Sequence, residues 1–187
     1  MEEASSELGG IDSLVYCAGV GILRPLAELD AADWRRTFDT NVVGAALVTK
    51  AALPHLTASN GTVAYLSSIS ASFTDPWPGL GAYVVSKAAL DKLIEAWRAE
   101  HGSVGFTRVV VGNCVGGEGA SATSLTAEWD QDLAARFYPA WMAKGYVNSD
   151  FLDVDEIVRV IANLLENRAG TSIPSITITA RSIAASS

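Results

Sequence analysis

"GTVAYLSSISASFTDPWPGLGAYVVSKAAL", residues 61–90, changes periodicity partway along. Its first part, Gly61 to Ser68, is a compact apolar run rich in β-formers and opened by a glycine, which reads as a strand buried on both faces. A loop with two prolines follows, and from Gly79 apolar residues recur at helical spacing through about Glu100. A buried strand followed by an amphipathic helix is the unit from which parallel sheets are built.

The same alternation extends to both sides. Upstream, after a short acidic helical stretch from Glu2 to Leu8, "IDSLVYCAG" (residues 11–19) is another apolar run closed by glycine. Asp30 then caps a helical pattern running to about Leu56, with Trp34, Phe38, Val42, Ala45 and Ala46 near helical spacing and Pro54 in its last turn. Downstream, "VGFTRVVVG" (104–112) predicts a third strand, and a glycine-rich stretch from Gly112 follows. Asp153 opens a helix through "DVDEIVRVIANLLENR", and "SIPSITITA" (172–180) predicts a fourth strand. The expected fold is α/β, a partial Rossmann-like parallel sheet of about four strands with flanking helices in one domain over residues 1–181. Residues 182–187 have too little apolar content to pack and are expected to fray.

Composition limits the function classes. A chain of 187 residues that is 49% hydrophobic supports one well-buried core. A net charge of −8 and a pI near 4.7 oppose nucleic-acid or anionic-membrane partners, and Lys and Arg nowhere cluster. The polar N-terminus lacks the features of a signal peptide, and no run approaches the roughly 18 apolar residues of a membrane span. Cys17 and Cys114 are too few for a disulfide framework and lack metal-ligand spacing, and His55 and His101 stand alone in sequence. A soluble cytoplasmic protein without metal is expected, with both cysteines as small buried fillers at strand ends.

In open parallel sheets the ligand crevice lies beyond the C-terminal strand ends. There the sequence places "CAG" (17–19), "SS" (67–68) and "GNCVGG" (112–117), with Tyr83 opening the helix after the second strand and Lys87 one turn later. Asn41 in the long helix, "YLSS" closing a strand and "PGLGAYVVSKAAL" together resemble the catalytic half of the short-chain dehydrogenase/reductase superfamily, and the resemblance spans almost the whole chain.

That resemblance implies an oxidoreductase using NAD or NADP, in which Asn41, a serine, Tyr83 and Lys87 act on an alcohol or ketone. Counting from the glycine opening the strand assigns the serine as Ser68. Counting back from Tyr83 points to Ser70, and the strand end is preferred because loops absorb extra residues. Bringing a phenol of pKa about 10 down by three units needs about 4 kcal/mol, which an ammonium about 4 Å away supplies only at an effective dielectric near 20. Lys87 is thus expected to tune Tyr83 only in a closed crevice. The resemblance further implies cofactor contacts at Cys17, Ala18, Gly19, Tyr83, Lys87, Gly112 and Val115. Residues 120–150, dense in aromatics, read either as simple core or, functionally, as a substrate lid in which Trp141, Met142 and Tyr146, with Ser70, are expected to contact substrate and favour bulky apolar ketones or alcohols. A homo-oligomer through the Asn41 and Tyr83 helices is expected by the same likeness.

The chain departs from the family pattern in three places. Tyr16-Cys17-Ala18-Gly19 stands where paired asparagines precede Ala-Gly, and Gly112-Asn113 replaces Pro-Gly after the third strand. No glycine-rich "GxxxGxG" turn occurs, and Met1 falls where the family would have completed three strands, so an upstream dinucleotide-binding half is expected. Four strands of a larger sheet would leave "IDSLVYC" as an open apolar edge. The competing expectation is a non-enzymatic remnant acting, if at all, as a dimerising domain.

Overall fold

The computed structural model describes residues 1–115, 125–147, 150–166 and 170–181. The tail 182–187, and residues 120–124 and 148–149 of the expected lid, lie outside the described residues. The elements run α1 (Glu2–Leu8), β1 (Ser13–Tyr16), α2 (Ala31–Phe38), α3 (Ala45–Ser59), β2 (Thr62–Ser68), α4 (Ile69–Ser72), α5 (Gly81–Glu100), β3 (Gly105–Val111), β4 (Cys114–Val115), α6 (Gln131–Ala143), β5 (Leu152–Asp153), α7 (Val154–Glu166) and β6 (Ser175–Ile178). Four strands form a wholly parallel sheet in the order β1-β2-β3-β6, with Val63 opposite both Leu14 and Phe106 and Val109 opposite Ile176.

The alternation of β2 explains why helices cover both faces. Val63 and Tyr65 point to one side, into a core with Ala45, Ala52 and Leu56 of α3 and Leu90 and Ile94 of α5. Ala64 points to the other, where Val109 meets Ile157, Ile161 and Leu164 of α7. The Tyr65 hydroxyl, deep in the first layer, is matched: it lies 2.7 Å from Thr49 Oγ1.

Three features differ from the sequence expectation. The long helix is not uniform: Asp39–Gly44 widens into a π-helical turn between α2 and α3. Such a turn reaches from i to i+5 and leaves carbonyls without their usual partners. Tyr16 supplies one partner, donating its hydroxyl to the Thr40 carbonyl at 2.6 Å, so the end of β1 is tied to the bulge. In addition, the continuous helical run Ala31–Ser59, with a mean hydropathy of 1.2, is by length and composition long and apolar enough to cross a membrane. Its inner face, with Ala45, Ala52 and Leu56 fully buried, packs against the sheet, while Val43 and Leu47 are exposed. A short second ladder, β4 with β5, was also not foreseen.

Candidate active site

The end of β2 and the start of α5 build the site. Tyr83 and Lys87 are one turn apart on α5, and the Lys87 ammonium lies 5.8 Å from the Tyr83 ring centroid. Lys87 is buried, at 5% exposure, and donates to the Leu66 carbonyl at 2.7 Å, leaving two further N–H donors. Ser68 ends β2 and caps α4 by accepting from the Ser70 amide, while the two serine hydroxyls lie 2.9 Å apart. Ser68 is the serine whose side chain hydrogen-bonds the Tyr83 phenol, so the strand-end count places it at the tyrosine. Ser70, itself buried, stands behind it.

Asn41 is fully buried in the π-helical turn, and every polar atom of its side chain is used. Oδ1 accepts from the Val20 amide at 2.8 Å, and Nδ2 donates to the Val20 carbonyl at 2.9 Å and to Ser86 Oγ at 2.8 Å. The side chain clamps the loop after β1 onto α5. Ser86 lies inside the "YVVSK" stretch itself, yet nothing in its identity announced this role.

That clamp brings the backbone of "CAG" over Lys87. A Cβ placed on Gly19 would stand 3.5 Å from both Asn41 Oδ1 and Lys87 Nζ, so the Gly19 main chain lies directly beside the ammonium. Ala18 is exposed beside it. Both cysteines are exposed and free, which corrects the expectation of buried fillers: Cys17 lies past the end of the edge strand, and Cys114 sits in the short β4. Gly112 belongs to the sheet, since its amide donates to the Ile178 carbonyl at 2.9 Å and the space beside it is filled by Thr179. Val115 pairs with Asp153 in the β4–β5 ladder.

Burial governs the electrostatics. It pushes the Tyr83 phenol above its ordinary value, the Ser68 hydrogen bond works against that, and the nearby Cys114 thiol adds to it. Burial likewise lowers Lys87 to about 8, opposed by Asp91 one turn along α5 and by Cys17. The expected lowering of Tyr83 by Lys87 is therefore not the state seen here. The ammonium points at the Leu66 carbonyl, and burial holds the phenol protonated. Asp91 in turn accepts from Ser67 Oγ at 2.6 Å and Arg108 Nη1 at 3.1 Å, joining α5 to β2 and β3 beneath the site. Among the described residues no group of three His, Cys, Asp or Glu side chains is placed to hold a metal.

The aromatic residues proposed as a lid divide. Trp141 and Tyr146 are buried in a satellite core with Leu23, Leu80 and Val84, Tyr146 stacking on Trp77 at 5.3 Å and the Trp141 indole donating to the Pro78 carbonyl at 2.9 Å. Met142 is exposed. Trp141 and Tyr146 fasten the segment to the loop before α5, and Tyr83 packs against the cluster they belong to.

A sequence model described as short chain dehydrogenase matches residues 1–134. The chain belongs to the short chain dehydrogenase family. Among curated relatives it is 31% identical over 138 residues to a meso-2,3-butanediol dehydrogenase of Serratia marcescens, covering 73% of this chain and 52% of that protein. It is 34% identical over 114 residues to an 11-beta-hydroxysteroid dehydrogenase A of Sesamum indicum, covering 60% and 32% respectively. The chain thus spans about half or less of the length of these relatives. Of solved structures, it resembles a short chain dehydrogenase from Mycobacterium paratuberculosis bound to NAD, with a TM-score of 0.77 at 20% identity over 95% of this chain and 66% of that one. It also resembles an alcohol dehydrogenase from the archaeon Thermococcus sibiricus complexed with 5-hydroxy-NADP, with a TM-score of 0.74 at 19% identity over 96% and 67%. At these identities the likeness establishes the fold, and the family model and curated relatives establish a dehydrogenase/reductase lineage.

Proposed function

We propose that this chain carries the catalytic machinery of a nicotinamide-dependent oxidoreductase that interconverts a hydroxyl and a carbonyl group. The observation that carries this reading is the line Ser68, Tyr83, Lys87 at one sheet edge, roofed by the bare backbone of Gly19. Two neighbours in fold are described as bound to NAD or complexed with an NADP derivative, which supports a nicotinamide cofactor in general. The cleft fits the ribose end of such a group: Gly19 lets the main chain approach, and Lys87 offers two donors beyond the one given to Leu66.

When bound, the nicotinamide supplies or accepts the hydride. The remaining work falls to this chain. Ser68 orients the substrate oxygen, and Tyr83, held protonated, donates its phenolic proton to that oxygen as the carbonyl is reduced. The phenolate left behind is stabilised by the Lys87 ammonium, about 90% charged at pH 7 if its pKa is about 8. Asn41 acts as a positioning residue, since its side chain has no atom to spare for substrate. A reducing cytoplasmic setting suits the two exposed free thiols.

Titration with NADH and with NADPH tests the reading. Saturable binding, and reduction of a simple ketone that disappears in Tyr83→Phe, is the expected result; undiminished turnover in Tyr83→Phe would end the assignment. A second reading, a dimerising domain without activity, is favoured by Val43, Leu47 and Val85, which are exposed near Asn41 and Tyr83. It predicts no saturable cofactor binding. Under either reading these apolar side chains form the contact between two copies, and Leu47→Glu should dissociate them.

A further inference from the structure

Among the described residues before α6, Leu125 comes near Tyr83 across Gly21, and its sequence context gave it no special standing. A Cβ built on Gly21 would stand 2.6 Å from Leu125 Cδ1, 3.2 Å from its Cγ and 3.4 Å from Tyr83 Cδ2. The leucine and the edge of the tyrosine ring therefore meet over a position that carries no side chain. Gly21 is a seat for Leu125. Two ties hold the adjoining chain there: the Trp129 indole donates to the Gly21 carbonyl at 2.7 Å, and Arg36 pairs with Glu128 at 2.6 Å. Leu125 remains 38% exposed, so part of it faces the mouth of the crevice.

Resting on the oxidoreductase reading above, we infer that Leu125, seated on Gly21, is the specificity-determining residue that limits the substrate group lying along this edge of Tyr83. A carbonyl oxygen held at Tyr83 and Ser68 leaves its two carbon substituents in the space the ring edge bounds. On the Gly21 side that space is already occupied by leucine methyls. A methyl or ethyl group fits beside them, and an aryl ring must displace them. The substrate class is thus a ketone, or its secondary alcohol, with one small substituent on that side.

The test compares the full chain with Leu125→Ala, Gly21→Ala and the double variant. Urea unfolding needs no turnover. Gly21→Ala puts a methyl where Leu125 sits and lowers the unfolding midpoint of the parent, but has little effect once Leu125→Ala has cleared the space, so the two substitutions are non-additive. Additive effects would overturn the seating and the inference with it. With cofactor, Leu125→Ala raises kcat/KM for acetophenone relative to 2-butanone by about tenfold or more, the scale on which a pocket discriminates apolar bulk, and chiefly through KM. An unchanged ratio overturns the inference while leaving the oxidoreductase reading intact. If none of the proteins turns over either ketone, that reading fails separately, and calorimetric titration with acetophenone alone decides: tighter binding to Leu125→Ala supports the inference, and equal or absent binding to both proteins overturns it.

Discussion

Lys87 shows how one residue carries opposed demands. Its charge is wanted beside Tyr83, yet burial lowers its pKa from an ordinary 10.5 to about 8. For a base with a depressed folded-state pKa, the unfolded chain binds more protons between the two values, so stability rises with pH across that window. Lys87 therefore contributes a gain of up to about 3 kcal/mol in native stability between about pH 8 and pH 10.5. Urea unfolding from pH 7.5 to 9.5 should show that rise in the parent and a flatter profile in Lys87→Met. Above about pH 10 the comparison closes, because Tyr65, raised to about 12 by burial, reverses the slope. At Tyr83 the phenolic proton alone is at stake: Tyr83→Phe should cost a factor of about 100 to 10,000 in turnover. Its cost in stability should stay near the roughly 1 kcal/mol of one hydrogen bond, here to Ser68, as steady-state kinetics and unfolding together would show. The spacing of Tyr83 and Lys87 was legible because a motif within one helix fixes both side chains on one face. The direction of their pKa values was not, because burial is a property of the assembled crevice.

At the scale of elements, the strands and helices were legible wherever a single period held over their length. The widened turn at Asp39–Gly44 was not, because a π-helical turn inserts a residue without changing the apolar composition. It matters, since it delivers Asn41 to Val20 and Ser86 and so sets the height of the "CAG" loop over Lys87. Asn41→Leu keeps approximate size but strands the buried Val20 amide and carbonyl, and should cost about 2–4 kcal/mol in urea unfolding. Asn41→Ala should also weaken cofactor binding, though no atom of Asn41 is free to touch a ligand, because the loop loses its clamp. The packing of the aromatic segment was illegible for a related reason. Density of Trp and Tyr signals apolar area, and only the fold shows that Trp141 and Tyr146 tie the segment to the loop at Trp77 and Pro78 in a cluster against which Tyr83 packs, with Leu125 near it across Gly21. Trp129→Phe, which removes the indole donor to the Gly21 carbonyl, should therefore speed proteolysis within residues 125–147 more than it lowers global stability.

For the molecule as a whole, the sheet order places β1 at an edge with a neighbour on one side only among the described residues. Its outer row of amides and carbonyls is a template for another strand, and Val15, 38% exposed in the middle of β1, adds an apolar side chain to it. Two surfaces are then available through which copies could meet. Val43, Leu47 and Val85 offer side chains near the active site, whereas β1 offers backbone as well, and backbone pairing is tolerant of sequence. The two are separable by substitution. Leu47→Glu should abolish a defined dimer seen by sedimentation velocity and leave any slower, concentration-dependent growth of larger species intact. Val15→Lys should do the reverse, because a charge in the centre of a short edge strand opposes edge-to-edge pairing while its long stem still covers the apolar surface beneath. Since Val15 is already partly solvated, the fold should lose no more than about 0.5 kcal/mol. If Val15→Lys leaves the growth of large species unchanged, the edge of β1 is not the surface through which they form, and the open strand is covered by the molecule's own packing in solution.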